Sequence, residues 1–270
     1  MHTTTRLINL AGCLVMLVTP ALQAAWQLID DFEGMAYGAL NGKNGWVASG
    51  EVAVQSDGTA NAVAAYRNSG PVGTYERLYK SGTLVNNATT GTIFFMVFAT
   101  GDILRHYVGM TDKGAPANDG ALAALIRLDK SSEPAGKFEF RVSDGGGFDG
   151  YRQLNTATWY SVWMVLRNGT ASATERYDVY LTAGFSPALP GDLVFANATF
   201  PFVCGNLSNF CGLAESRSPY TSVTNVWLDY IYLDKSGVNL THPVPEPCRL
   251  LVLGGLATVL GLARAYYGWR

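Results

Sequence analysis

Between residues 26 and 234 the apolar positions recur with a period of two or gather in short unbroken runs, divided by turn residues. Lys137 to Val142 is the cleanest alternation: Phe138, Phe140 and Val142 point one way, Lys137, Glu139 and Arg141 the other. A period of two predicts a strand with one wet face. Trp26 to Phe32 reads as a first strand, and Val52 and Val54 alternate with Glu51 and Gln55 in another. Thr92 to Ala99 is continuously apolar around Phe94, Phe95, Val97 and Phe98, as in a strand buried on both faces. Ala123 to Leu128 is a further strand. Trp159 to Arg167 is a long one, with Trp159 and Trp163 on one side and Tyr160, Val162, Met164 and Leu166 on the other. Tyr177, Val179 and Leu181 share a face of the next, and Asn225 to Leu233 closes the series. The nearest helical stretch, Ala115 to Ala124, is interrupted by Pro116, Asn118 and Gly120. About ten to thirteen short strands between Gly/Asn/Asp turns predict an all-β, antiparallel sandwich or barrel.

The two ends break this pattern. Residues 1–24 carry Arg6, an apolar stretch from Leu10 to Val18, Pro20 and then Ala24 and Ala25. That order predicts a signal helix cleaved between Ala24 and Ala25. Leu22 fills the position where a small residue is usual. Leu10-Ala11-Gly12-Cys13 has lipobox-like spacing, but much of the apolar stretch follows Cys13. At the other end Pro245-Glu246-Pro247 precedes an apolar run from Leu250 to Ala263, then Arg264 and Arg270. Such a run makes about 21 Å of helix, short against a hydrocarbon core of about 30 Å. The division is therefore a signal peptide over 1–24, a sandwich over 25–235, a linker over 236–247 and a short transmembrane helix with a basic end over 248–270.

Composition narrows the partners. Only 15% of the residues are charged and the net charge is -2, and no Lys/Arg run exists to track phosphates, which argues against nucleic acid. Of four cysteines, Cys13 lies in the leader and Cys248 beside the tail. Cys204 and Cys211 flank a short loop, and in an oxidising compartment a disulfide between them is expected, contributing about 2–3 kcal/mol.

The residues now carry two resemblances. Asp31-Phe32-Glu33-Gly34 followed by Gly38, Leu40, Gly42 and Gly45-Trp46 resembles the opening of concanavalin A-like, laminin G-like jelly rolls in exported bacterial proteins. Thr158 to Trp163, Tyr177 to Leu181 and Trp227 to Asp234 resemble the long central strand, its partner and the closing strand. The tail is similar to the PEP-CTERM sorting signal of Gram-negative bacteria. That resemblance implies Sec export, an exosortase as partner, an inner-membrane intermediate, and a destination at the cell surface or in the extracellular matrix.

Fold alone does not give function, because this sandwich hosts lectins, glycosidases and spacers. The closely spaced Glu-x-Asp-x-x-Glu run of laminarinase-like enzymes is absent. Glu139 stands alone on its strand and reads as part of a solvated face, and Asp229 and Asp234 face opposite sides of a regular strand. With only three histidines, of which only His106 lies inside the sandwich, a His-based triad or zinc site is disfavoured. Calcium suits the oxygen donors: Asp31 and Glu33 of the first strand with Asp229 of the last form one candidate site, and the Asp144–Asp149 loop another. Glycan stacking would use aromatics near Gly/Asn-rich loops, namely Trp46, Tyr107, Phe148, Tyr151 and Tyr220. The expectation is a non-catalytic binding or structural sandwich with an extracellular polysaccharide as ligand. The alternative is a secreted glycoside hydrolase or lyase.

Overall fold

The computed structural model describes residues 26–57, 62–100, 105–130, 136–171, 173–216 and 226–243. Ala24, Ala25, Tyr220, Pro245, Glu246, Pro247, Arg264 and Arg270 lie outside the described residues, as do both expected terminal helices. No helix among the described residues is long and apolar enough to cross a membrane.

Two antiparallel sheets make up the fold. The nine-stranded sheet contains β1 (Gln27–Asp30), β2 (Gly38–Ala39), β4 (Ala53–Ser56), β5 (Ala62–Tyr66), β7 (Thr89–Ala99), β12 (Tyr160–Asn168), β13 (Arg176–Ala183), β14 (Leu193–Thr199) and β16 (Val226–Asp234). Its order is β14-β13-β12-β7-β16-β5-β4-β2, with β1 also on β16. The seven-stranded sheet contains β3 (Trp46–Ala48), β6 (Tyr75–Val85), β8 (His106–Thr111), β9 (Ala124–Lys130), β10 (Lys137–Asp144), β11 (Gly147–Asn155) and β15 (Leu207–Glu215). Its order is β11-β10-β9-β8-β15-β6-β3.

The core lies between the sheets. Ile93, Phe95 and Val97 of β7 and Val162, Met164 and Leu166 of β12 meet Val108, Met110, Ile126, Phe138, Phe140 and Phe210 from the other sheet. The faces expected for β7, β10 and β12 are the ones observed. Alternation sends Trp163 and Phe94 to the outer side of the nine-stranded sheet, where they form a separate cluster with Met96.

The last strand departs from regularity. Tyr230 has φ 49, and the register against β7 shifts between Asp229 and Tyr232. The bulge divides one edge of β16 between two partners: Val226–Leu228 pair with β5, and Ile231–Leu233 with β1. It also corrects the expectation for the two aspartates. Asp229 sits opposite Met96 and Asp234 opposite Thr92, four residues apart on β7, so both lie on the same face.

Residues 235–243 then cross that outer face as a strap. Thr92 Oγ1 donates to Gly237 O (2.7 Å) and accepts from Asn239 N (3.0 Å). Trp163 Nε1 donates to Thr241 O (3.0 Å), and Trp26 Nε1 to Thr241 Oγ1 (3.0 Å). His242 lies against Phe94 and Phe185, its Nε2 3.1 Å from Ser161 Oγ.

The expected disulfide is absent, and this corrects the sequence reading. Cys204 and Cys211 are free, buried thiols. Cys204 packs in the central core, whereas Cys211 belongs to the cluster on the outer side of the seven-stranded sheet. With one thiol on each side of the sheet the pair cannot be bridged. Burial, then the charges of Asp112 and Glu175, pushes the Cys204 thiol up to about 12.

Candidate functional site

The outer face of the seven-stranded sheet gathers the chemistry. Cross-strand register sets Arg77, Leu213, Tyr107, Arg127, Arg141 and Tyr151 in one row across β6, β15, β8, β9, β10 and β11. Beside it Tyr75 faces Glu215 across β6 and β15, and Asp129, Glu139 and Gln153 face one another across β9, β10 and β11. These residues lie far apart in sequence. Strand pairing alone makes them neighbours, because opposed residues have Cβ atoms about 5 Å apart.

Three guanidinium groups on this face are paired with carboxylates. Arg127 Nη2 lies 3.1 Å from Asp129 Oδ2, and Arg105 Nη1 3.5 Å from Glu215 Oε2. Arg141 donates to Glu139 Oε2 through Nε (2.8 Å) and through Nη2. The Tyr107 hydroxyl donates to Glu215 Oε2 (2.8 Å), and that of Tyr75 to Asp119 Oδ1 (3.2 Å). Burial first, then the charges of Asp119 and Glu215, raises both tyrosines above the ordinary phenol range. Both remain hydrogen-bond donors at neutral pH.

Glu139 is only 8% exposed, so it is not on a solvated face as its strand alone implied. Asp129 and Arg141 cover it from the neighbouring positions. Arg127 packs over Phe148, its Cζ 4.0 Å from the ring centroid, and Arg141 stands 5.9 Å from Tyr151. Guanidinium groups held between carboxylates and rings have fixed orientation.

The expected glycan-stacking residues divide. Tyr151 is 60% exposed on the edge strand β11, with Phe148 half-buried beside it. Trp46 is buried in the core and donates through Nε1 to Asp30 Oδ2 (2.7 Å), so it cannot stack on a ligand. Tyr107 has the right face but is covered by Phe148 and by its cluster with Leu122, Leu125, Cys211 and Leu213. It serves as a support beneath the surface.

The expected calcium residues are not assembled as a metal centre. β1 and β16 do pair, and Asp31 and Asp229 both act on Tyr232, whose hydroxyl is raised by burial first and by their charges next. Yet no group of three or more His, Cys, Asp or Glu among the described residues is arranged to hold a metal ion. Asp31 Oδ1 accepts the Glu33 N–H (3.2 Å) and Asp229 Oδ1 the Tyr230 N–H (2.7 Å), as in local turns. The Asp144–Asp149 segment is a tight hairpin in which Asp144 pairs with Gly147 and receives the Thr199 N–H at 2.7 Å. Gly145 (φ 59) and Gly146 (φ 96) supply the positive φ that a two-residue connection requires.

No family model matches the chain. No curated protein matches it either. Among solved structures it is similar to a glycoside hydrolase family 131 β-glucanase catalytic domain from Podospora anserina, with 11% identity, 80% of this chain and 98% of that one covered, and a TM-score of 0.48. It is similar to a protein of unknown function from Shewanella oneidensis, with 12% identity, 88% and 99% covered, and a TM-score of 0.47. The carbohydrate recognition domain of Emp46p is a third, with 10% identity, 80% and 100% covered, and a TM-score of 0.46. At these identities and TM-scores the likeness carries no function, and the all-β sandwich of two antiparallel sheets rests on this chain's own strand pairing.

Proposed function

We propose that the chain is an exported polysaccharide-binding sandwich whose ligand lies along the outer face of the seven-stranded sheet. One observation carries the reading: exposed Tyr151 and half-buried Phe148 flank arginines and carboxylates that are already fixed in pairs. A sugar ring offers an apolar face for an aromatic and hydroxyls for fixed donors and acceptors. Arginines already held by carboxylates favour hydroxyls over a strongly charged ligand.

The sorting role belongs to the same proposal. It rests on the order of Pro245-Glu246-Pro247, the apolar run, Arg264 and Arg270, and on the leader ending at Ala24 and Ala25. Sec export, exosortase recognition and membrane attachment through the tail are what the resemblance of that order to the PEP-CTERM sorting signal implies. The strap ends on the outer face of the nine-stranded sheet, the side away from the proposed ligand surface.

The test is retention of the protein in gels containing single polysaccharides. Retention by at least one neutral polysaccharide is expected, with Tyr151→Ala and Arg141→Ala each weakening it about tenfold. Unchanged mobility in every polysaccharide would sink the reading.

A hydrolytic reading has one observation in its favour. Asp129 and Glu139 are directly opposed, and about 5 Å between Cβ atoms allows the carboxyl separation of a retaining glycosidase. Reducing-sugar release that disappears in both Asp129→Asn and Glu139→Gln would establish it in place of simple binding.

A further inference from the structure

A second polar cluster lies at one end of the sandwich, around the turn Cys204-Gly205. Three side chains from three segments hold this turn. Glu175 Oε1 accepts the Cys204 N–H at 2.7 Å. Asp112 Oδ2 accepts the Gly205 N–H at 3.1 Å. Asn168 Nδ2 donates to Gly205 O (2.9 Å) and to Val85 O (3.1 Å), which fixes the orientation of its amide.

Each of the three keeps one buried oxygen with no hydrogen-bond partner: Glu175 Oε2, Asp112 Oδ1 and Asn168 Oδ1. Glu175 is 0% exposed and Asn168 1% exposed. Asp112 Oδ1 has only the Lys113 ammonium, at 3.4 Å, and that side chain is 54% exposed. Buried acceptors are rarely left unsatisfied, and a carboxylate removed from water requires positive charge beside it. All three orphans are oxygens that only accept, so another acceptor cannot satisfy them.

We propose that this end of the sandwich is a cation site of the calcium class, with Glu175, Asp112 and Asn168 as side-chain ligands. Two carboxylates and one amide oxygen form a hard, all-oxygen donor set, which suits Ca²⁺ and not Zn²⁺. Carbonyl oxygens and water complete the shell. Glu175 and Asn168 form its floor. Asp112, beside the exposed Lys113 ammonium, and the exposed Gly205 form its solvent side. The ion joins the two sheets: Asn168 ends β12, Glu175 precedes β13, Asp112 follows β8, and the turn leads into β15.

The test is thermal unfolding of the purified full chain in EDTA and in rising CaCl₂, MgCl₂ and ZnCl₂, with the metal content of the dialysed protein measured in parallel. Calcium is expected to raise Tm saturably by at least about 3 °C. Glu175→Gln and Asp112→Asn are each expected to abolish that rise. A Tm indifferent to EDTA and calcium would overturn the proposal. So would a calcium response that survives both substitutions. A Glu175→Gln protein more stable than the parent and blind to calcium would mean a buried protonated acid or an internal water instead, and would overturn it too. If Glu175→Gln does not fold, Asp112→Asn and the metal count decide between one bound calcium and none.

Discussion

Asp30 illustrates how much one buried carboxylate can organise. It is 3% exposed and accepts from Phe32 N through Oδ1, and from Asn44 Nδ2, Trp46 Nε1 and Lys80 Nζ through Oδ2. First strand, following loop and β6 are thereby joined at one charge. The sequence reading singled out its neighbour Asp31 instead, but it is Asp30 whose side chain is buried. Removing Asp30 leaves Lys80 partly buried without this partner, so Asp30→Ala is expected to cost about 3 kcal/mol in denaturant unfolding. The pair Asp30→Leu with Lys80→Met is expected to cost less than the two single losses added together. Asp178 is a second case. Burial acts to raise its carboxyl, but the Arg167 hydrogen bond, the Asn197 N–H and the Arg167 charge outweigh burial and hold it below the usual range. A depressed carboxyl contributes stability above its unfolded value, about 3.9, and loses that contribution as pH falls through the folded value. Asp178→Asn is therefore expected to flatten the acid limb of a stability–pH curve below about pH 4. An unchanged limb would assign that loss to other carboxylates.

At the scale of elements, the strap over the nine-stranded sheet behaves as part of the fold. Asn239 is 4% exposed: its Nδ2 donates to Asp234 Oδ2, and its Oδ1 accepts from Thr241 N and Oγ1. The strap so pinned covers Phe94 and Trp163. Asn239→Ala leaves those groups unmatched and is expected to cost about 2 kcal/mol, read by unfolding followed through tryptophan fluorescence. Several elements were legible beforehand. The even alternation of β10 and the unbroken apolar run of β7 are period signals that need no partner. The strands β6, β8 and β15 were not legible. Tyr75–Val85 mixes Lys80, Ser81 and Gly82 with Leu78 and Val85, and Gly109 and Gly212 interrupt the other two. A glycine in a strand weakens a pattern reading, yet at 109 packing requires it, since a Cβ there would sit 2.0 Å from Ala124 O.

At the scale of the whole molecule, the thiols test how the two sheets are joined. The sheets hold together through one apolar core, and the structure adds no covalent link between Cys204 and Cys211. Tm is therefore expected to be the same with and without reductant. Both thiols are expected to react with an aromatic disulfide reagent only after unfolding. A fall in Tm on reduction would restore the cross-link that the spacing of the two cysteines implied. The proposed ligand surface is also a property of the whole molecule. Arg77, Tyr107, Arg127, Arg141 and Tyr151 come from five strands and form a row only once β15 lies between β6 and β8.

By itself the sequence determined an all-β, antiparallel fold and the inward faces of its most regular strands. These follow from local periodicity and composition, which need no knowledge of what lies opposite. Tertiary structure alone decided that Glu139 is covered by Asp129 and Arg141, and that Trp46 is core while Tyr151 is surface. It alone placed Cys204 and Cys211 on opposite sides of a sheet, and brought Asp112, Asn168 and Glu175 to one turn. Burial and partnership depend on which strand pairs with which, and strand order in a sandwich is set by contacts between residues remote in sequence.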